Sequence, residues 1–220
     1  VAVVVFASNS SLCGGFNANV IRHLNEVVAE YEPKVGRENI LIYPVGRKVA
    51  DAVKKMEGLT AAGDYQHMSG KPNYQEAADL AAELMTRFAS GEIQQVELLY
   101  NHFKSTSTQV LTRETYLPLD LSAGHTDEKG EEQEAMQADY LIEPSPEQVM
   151  EELLPKVLRM KMYTVLLDST ASEHAARTMA MQIATDNAND LIQELTLIYN
   201  KSRQQAITNE LLDIVGGSMS

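Results

Sequence analysis

Met181-Gln182-Ile183-Ala184-Thr185-Asp186-Asn187-Ala188-Asn189-Asp190-Leu191-Ile192-Gln193-Glu194-Leu195-Thr196-Leu197-Ile198 decides how this chain is read. Met181, Ala184, Ala188, Leu191, Leu195 and Ile198 recur at steps of 3, 4, 3, 4 and 3. That spacing is a heptad seam, the pattern of a helix paired with another helix. The small side chains of Ala184 and Ala188 let a partner come close. The seam lies inside Lys156 to Val215, 60 residues without Gly or Pro in a chain that has 12 Gly and 7 Pro elsewhere. A run with no breakers that ends at Gly216-Gly217 predicts one or two long helices with a glycine stop. If Ser172 to Val215 is one helix, it spans about 66 Å at roughly 1.5 Å per residue. A domain of this size is narrower than that, so part of the helix should project. The seam breaks in the polar patch Asn200 to Gln205 and resumes at Ile207, Leu211 and Ile214, flanked by Leu212 and Val215. No other segment predicts a helix of matching length. The partner is expected from another chain or from sequence upstream of Val1. The alternative is a helix packed along its own domain.

Ahead of this helix the pattern is α/β. Val1 to Ala7 is continuous, apolar and β-branched, as in a central strand of a parallel sheet buried on both faces. The chain opens inside this strand, which leads us to expect residues upstream. Ser8 to Gly15 is turn-rich, and Asn17 to Tyr31 places Val20, Leu24, Val27 and Val28 on one helical face. Ile40 to Val45 reads as a strand, Arg47 to Glu57 as a short helix and Gly58 to Asn73 as a loop. Tyr74 to Ala89 reads as an amphipathic helix, and Val96 to Phe103 and Gln109 to Leu117 as two strands. The expected fold is a Rossmann-like, mostly parallel sheet flanked by helices, with a long carboxy-terminal helix. Residues 1–145 form the globular domain, 146–171 lead out of it and 172–220 form the coiled-coil helix. Asp120 to Glu152 holds eleven acids against Lys129, and reads as a solvated loop over 121–137 with a short strand at 140–142. Ser145-Pro146-Glu147-Gln148 then has the order of a helix start, with a capping serine, proline at the first helical position and Gln three after the cap.

The 220 residues carry 18 Lys plus Arg against 31 Asp plus Glu, a net charge of −13. Nucleic acid and anionic membrane surfaces would repel such a chain. One cysteine makes no internal disulfide and fits a reducing compartment. The longest apolar run is far shorter than the roughly 20 residues a membrane span needs. There is no phosphate loop, no dinucleotide fingerprint and no nucleophile elbow. The five histidines show no zinc-ligand spacing, so no metal or cofactor is expected. Cys13-Gly14-Gly15 sits at a strand-to-helix turn. It is either an anion site at a helix amino terminus or a tight turn with a small buried thiol. Glu173 and His174 are adjacent on a helix and point apart, which argues against an acid/base pair.

Several motifs resemble one family. Leu12-Cys13-Gly14-Gly15-Phe16-Asn17 is similar to the strand-to-helix turn of the γ subunit of rotary ATP synthases. That family commonly has Ser-Asp-Arg-Gly or Ser-Asp-Lys-Gly just before it, where this chain has Ser8-Asn9-Ser10-Ser11. Ser172-Glu173-His174-Ala175-Ala176-Arg177, Ala180-Met181 and Ala184-Thr185-Asp186-Asn187-Ala188 also match. So do Tyr199-Asn200, Arg203-Gln204, Ile207-Thr208-x-Glu210 and Ile214-Val215-Gly216-Gly217.

The resemblance implies a central stalk with no active site or cofactor of its own. It implies an antiparallel coiled coil between the carboxy-terminal helix and an amino-terminal helix of the same subunit, inserted into a ring of α and β subunits. The globular domain would sit near the ε subunit and the membrane ring, at the cytoplasmic face of a bacterial inner membrane. Proton flow turns such a stalk, and its asymmetric surface biases the β catalytic sites in turn. Arg203 and Gln204 would make polar contacts to β. Ile207, Leu211, Leu212, Ile214 and Val215 would supply the apolar tip that turns in its sleeve. Two readings from other classes remain beside it. One is a small-molecule or anion-binding protein using the Ser8 to Asn17 turn, and the other is a coiled-coil adaptor.

Overall fold

A computed structural model describes residues 1–119, 143 and 145–218. Its elements are β1 (Ala2–Phe6), α1 (Phe16–Val35), β2 (Leu41–Val45), α2 (Arg47–Val53), β3 (Thr60–Ala61), α3 (Tyr74–Ala89), β4 (Val96–Ser105), β5 (Thr108–Leu117) and α4 (Pro146–Ser218). The sheet order is β3-β2-β1-β4-β5. β1 lies at its centre, parallel to both neighbours, with Val4 opposite Tyr43 and Leu98. β4 and β5 form an antiparallel pair, a long hairpin at the sheet's edge.

Period-two alternation in β1 feeds two cores. Val3, Val5 and Ala7 pack with Val20, Leu24, Val27 and Val28 of α1 on one face. Ala2, Val4 and Phe6 face α3 and α4, meeting Leu80, Ala81, Leu84, Met162, Val165 and Leu166 on the other. Covered on both sides, the strand is apolar at every position, as the sequence predicts. Gly46, at φ 113°, lets the start of α2 cross the end of β1; a Cβ there would stand 2.1 Å from the Ala7 carbonyl oxygen. α3 begins on Asn73, whose side chain accepts from the Gln75 N–H.

One ion cluster ties α1 to the hairpin. Glu97 on β4 is buried, and Arg113 on β5 meets it through Nε to Oε2 at 2.7 Å and Nη2 to Oε1 at 2.9 Å. The Tyr31 hydroxyl donates to the same carboxylate at 2.6 Å. A buried charge is tolerable only when paired and hydrogen-bonded in this way. Arg113 also reaches Glu30. Its hydrogen bond, helped by Lys34, pulls the Glu30 carboxyl down to about 2.

The structure differs from the sequence reading in several boundaries. α1 runs on to Val35 through Pro33, α2 stops at Val53 rather than Glu57, and the 58–73 segment contains β3 and a short helical turn at Gln66–Ser69. α4 contains Pro155, and it passes through Gly216 and Gly217 instead of stopping before them. Its start is as expected: the Gln148 N–H donates to Ser145 Oγ at 3.3 Å. The solvated loop expected over 121–137 and the strand expected at 140–142 lie outside the described residues.

Candidate functional site

α4 is a single helix of 73 residues, about 110 Å long at roughly 1.5 Å per residue. It has two unlike halves. In the first, Leu158, Met162, Val165, Leu166, Ser169, Ser172 and Ala175 are buried against α3 and the sheet. The Tyr116 hydroxyl donates to the Leu158 carbonyl at 2.8 Å, and Lys161 pairs with Glu114 at 2.9 Å. In the second half, every residue from Met181 to Ser218 is exposed except the half-buried Asn200.

The predicted seam falls wholly on this second half. Met181, Leu191, Leu195 and Ile198 are each about half exposed, and Ala184 and Ala188 stand open between them. Farther out, Arg203 and Gln204 are exposed, as are Ile207, Leu211, Leu212, Ile214 and Val215. All these residues lie on one helix, and none of them packs on the globular domain. That disposes of the alternative in which the helix lies along its own domain.

At the border between the halves stands a set of polar contacts that sequence reasoning did not assemble. Asp168 accepts from the Phe103 N–H at 2.8 Å, with His102 Nδ1 against its other oxygen. Ser172 Oγ donates to the Asn101 carbonyl at 2.8 Å. Glu173 is buried; it accepts from Ser69 Oγ at 3.3 Å and from Arg177 Nη2 at 2.8 Å. Arg177 Nη2 also donates to Ser10 Oγ at 2.7 Å. The only trace of this in the sequence is the Glu173/Arg177 spacing of four. His174 is exposed while Glu173 is buried, so the two do point apart.

The Ser8 to Asn17 turn is bonded mainly to itself. Asn17 Oδ1 accepts from the Ser8 N–H at 3.0 Å, and Asn17 Nδ2 donates to Ser8 Oγ at 2.8 Å and Cys13 Sγ at 3.1 Å. Cys13 is the small buried thiol of the tight-turn reading. A cavity of about 360 Å³ lies between this turn and α4, lined by Gly14, Gly15 and Asn101 on one side and by Met179, Ala180 and Ile183 on the other. Among the described residues, no cluster of His, Cys, Asp and Glu has metal-site geometry. No described helix is long and apolar enough to cross a membrane.

A three-layer α/β domain that anchors half of a long helix, and leaves the other half apolar and unpacked, is an assembly subunit built to present that helix. A family model described as ATP synthase matches residues 1–220. An ATP synthase gamma chain of Phocaeicola vulgatus is 70% identical over 220 residues, covering all of this chain and 74% of the relative. One from Bacteroides fragilis is 60% identical over the same span. Among solved structures, a Euglena gracilis mitochondrial ATP synthase chain from an OSCP/F1/c-ring assembly superposes with a TM-score of 0.64. It is 24% identical and covers 100% of this chain and 72% of that one. A Tetrahymena thermophila chain from a central stalk/c-ring structure gives 0.57 at 22% identity, covering 84% of this chain and 75% of that one. At those identities the two structures speak for the fold. The chain belongs to the ATP synthase gamma-chain family.

Proposed function

We propose that this chain is the rotor of a proton-translocating ATP synthase, carrying rotation between a membrane ring and catalytic sites on β subunits. The observation that carries the proposal is the division of α4: its base is packed and hydrogen-bonded into the domain, while its apolar seam is unpacked. Family membership supports the same reading. In this proposal residues 1–145 are the foot, 146–171 lead out of it and 172–220 are the shaft. A helix of the same subunit, upstream of Val1, fills the seam from Met181 to Ile198. The tip residues Ile207, Leu211, Leu212, Ile214 and Val215 turn inside a ring of α and β subunits, and Arg203 and Gln204 make and break polar contacts with β. The foot meets the ε subunit and the membrane ring at the cytoplasmic face of the bacterial inner membrane. ATP chemistry takes place on the partners, and this chain needs no cofactor.

The test is reconstitution. α and β from the same source are mixed with the γ polypeptide carrying its upstream segment, and complex formation and ATPase turnover are measured. A stable complex with γ-dependent turnover, lowered by Arg203→Ala with Gln204→Ala, is the expected result. Failure to form a complex refutes the rotor reading.

A further inference from the structure

We propose that Asp168, Ser172, Glu173 and Arg177 form a polar collar that fixes the rotational setting of the shaft about its own axis. They are positioning residues for torque transfer. The inference rests on the rotor reading and adds to it where the helix is gripped and how.

The geometry follows from helix periodicity. At about 100° per residue, and with Asp168 at 0°, Ser172 stands near 40°, Glu173 near 140° and Arg177 near 180°. The buried apolar and small side chains Leu158, Met162, Val165, Leu166 and Ser169 fall between about 60° and 160° on the same wheel, and Ala175 falls near 340°. Asp168 and Arg177 therefore stand close to opposite edges of the buried face, with Ser172 and Glu173 inside it. Asp168 and Ser172 hold the β4 flank, through the Phe103 N–H and the Asn101 carbonyl. Glu173 and Arg177 hold the β1 flank, through Ser69 and Ser10. Ser69 is itself tied to the end of the central strand, donating to the Ala7 carbonyl at 2.8 Å.

Apolar packing is non-directional and resists rolling weakly. Hydrogen bonds resist it strongly. Side-chain atoms about 5–6 Å from the helix axis move about 2 Å when the helix rolls by about 20°. The bonds of 2.7–2.8 Å that tie the helix to the domain do not survive that displacement. With pins on both flanks, a roll in either direction breaks one pair. The collar also sits just below the free half of the helix: the last buried residue is Ala175, and exposure is nearly complete from Met181. On the same wheel the seam from Met181 to Ile198 spans about 120–220°, above the Glu173/Arg177 flank. The collar thus sets the direction in which the seam faces.

The experiment uses the assembled complex with the complete γ polypeptide. Lys104→Cys, on the exposed part of the hairpin, gives a labelling site, because Cys13, the one cysteine of these 220 residues, is buried. A probe there reports the stop angle of the foot during ATP-driven rotation of single molecules. Asp168→Asn and Arg177→Gln are compared with the parent, alone and together, alongside the thermal midpoint of each complex. We expect the single variants to displace the mean stop angle in opposite senses. The double variant should at least double the variance of the stop angle. Unchanged angles and variance overturn the collar, even where the thermal midpoint falls, since a merely stabilising role moves the midpoint alone. If the double variant does not assemble, the two single variants decide by the sign of their displacements. If the parent complex does not rotate, the rotor reading itself fails, and that outcome is separate from failure of the collar.

Discussion

Replacing Met162 and Leu191 by alanine, one at a time, separates the two halves of α4. Met162 is fully buried between α3 and the sheet. Truncating a buried methionine to alanine costs about 2–5 kcal/mol, and a site closed on all sides by sheet and helix has little room to collapse into the cavity. Taking about 3 kcal/mol, and about 2–4 °C per kcal/mol for a chain of this size, the thermal midpoint of Met162→Ala should fall by roughly 6–12 °C. Leu191 is 55% exposed. Leu191→Ala should move the same midpoint by less than about 2 °C, because exposed substitutions cost under about 0.5 kcal/mol and alanine favours the helix. In the complete γ polypeptide, where the upstream helix is proposed to cover the seam, Leu191 matters more. Full burial of a leucine is worth about 1.5–3 kcal/mol, so at about 2–4 °C per kcal/mol its loss should lower that polypeptide's midpoint by roughly 3–12 °C. Circular dichroism melts of the 220-residue chain and of the complete polypeptide read the two effects. A fall of more than about 5 °C for Leu191→Ala in the isolated chain would show the seam packed against its own domain, and would refute the division.

Glu30, held near 2 by Arg113 and Lys34 against an ordinary value of 4.5, stabilises the fold above about pH 4.5 and loses that contribution as the pH falls towards about 2. The difference in thermal midpoint between parent and Glu30→Gln should therefore be constant above about pH 4.5 and shrink below it; a difference that grows in acid contradicts the assignment. Pro155 lies inside α4 and removes the N–H that would reach the Glu151 carbonyl. Pro155→Ala should raise stability in urea by about 1 kcal/mol, the helix gain of up to about 3 kcal/mol being offset by lost contact in the groove lined by Phe88 and Leu154. Amide exchange in the isolated chain should be slow through Ala175 and quicken steadily from Met181 to Ser218, since an unpacked helix is marginal in water. Equal protection at both ends would mean that the outer half packs on something in the isolated chain.

The parts of the fold legible in the sequence are those set by local pattern. β1 shows itself because a strand covered on both faces must be apolar at each position from Ala2 to Phe6. The bounds of α3 agree with its cap at Asn73. α4 runs past the glycine stop that the sequence predicts, because a glycine lowers helix stability by about 1 kcal/mol without forbidding the conformation. Nothing in the described structure turns the chain away at Gly216. Pro33 and Pro155 were likewise tolerated inside helices, each at the cost of one backbone donor. The collar was out of reach for a different reason. Ser10 and Arg177 are 167 residues apart, Ser69 and Glu173 are 104 apart, and neither member of a pair carries a local signal of the other. A pattern search finds faces of helices and strands; it does not find which face meets which loop.

The distribution of directional contacts along the chain fits a part that is gripped at one end and slides at the other. The foot is fixed by bonds with strict geometry: the Arg113–Glu97 fork, the Tyr31 hydroxyl on the same carboxylate, and the contacts around Glu173. Net charge is concentrated in the segment that leads into α4. Residues 120–152 hold eleven acids and one lysine, 1 − 11 = −10 of the total of −13. From Ser172 onward there are six acids and three cations, 3 − 6 = −3, and one of each is used inside the collar by Glu173 and Arg177. What remains beyond Met181 is apolar, carboxamide or thinly charged. Apolar contact is non-directional, so its energy changes little as one surface turns against another. Hydrogen-bonded ion pairs would instead trap particular angles, and each would have to break at every step. Under the proposed rotor function, torque enters the helix where it is held by angle, at the proposed collar. It leaves through directional groups placed far out, the role proposed for Arg203 and Gln204 in the polar break of the seam.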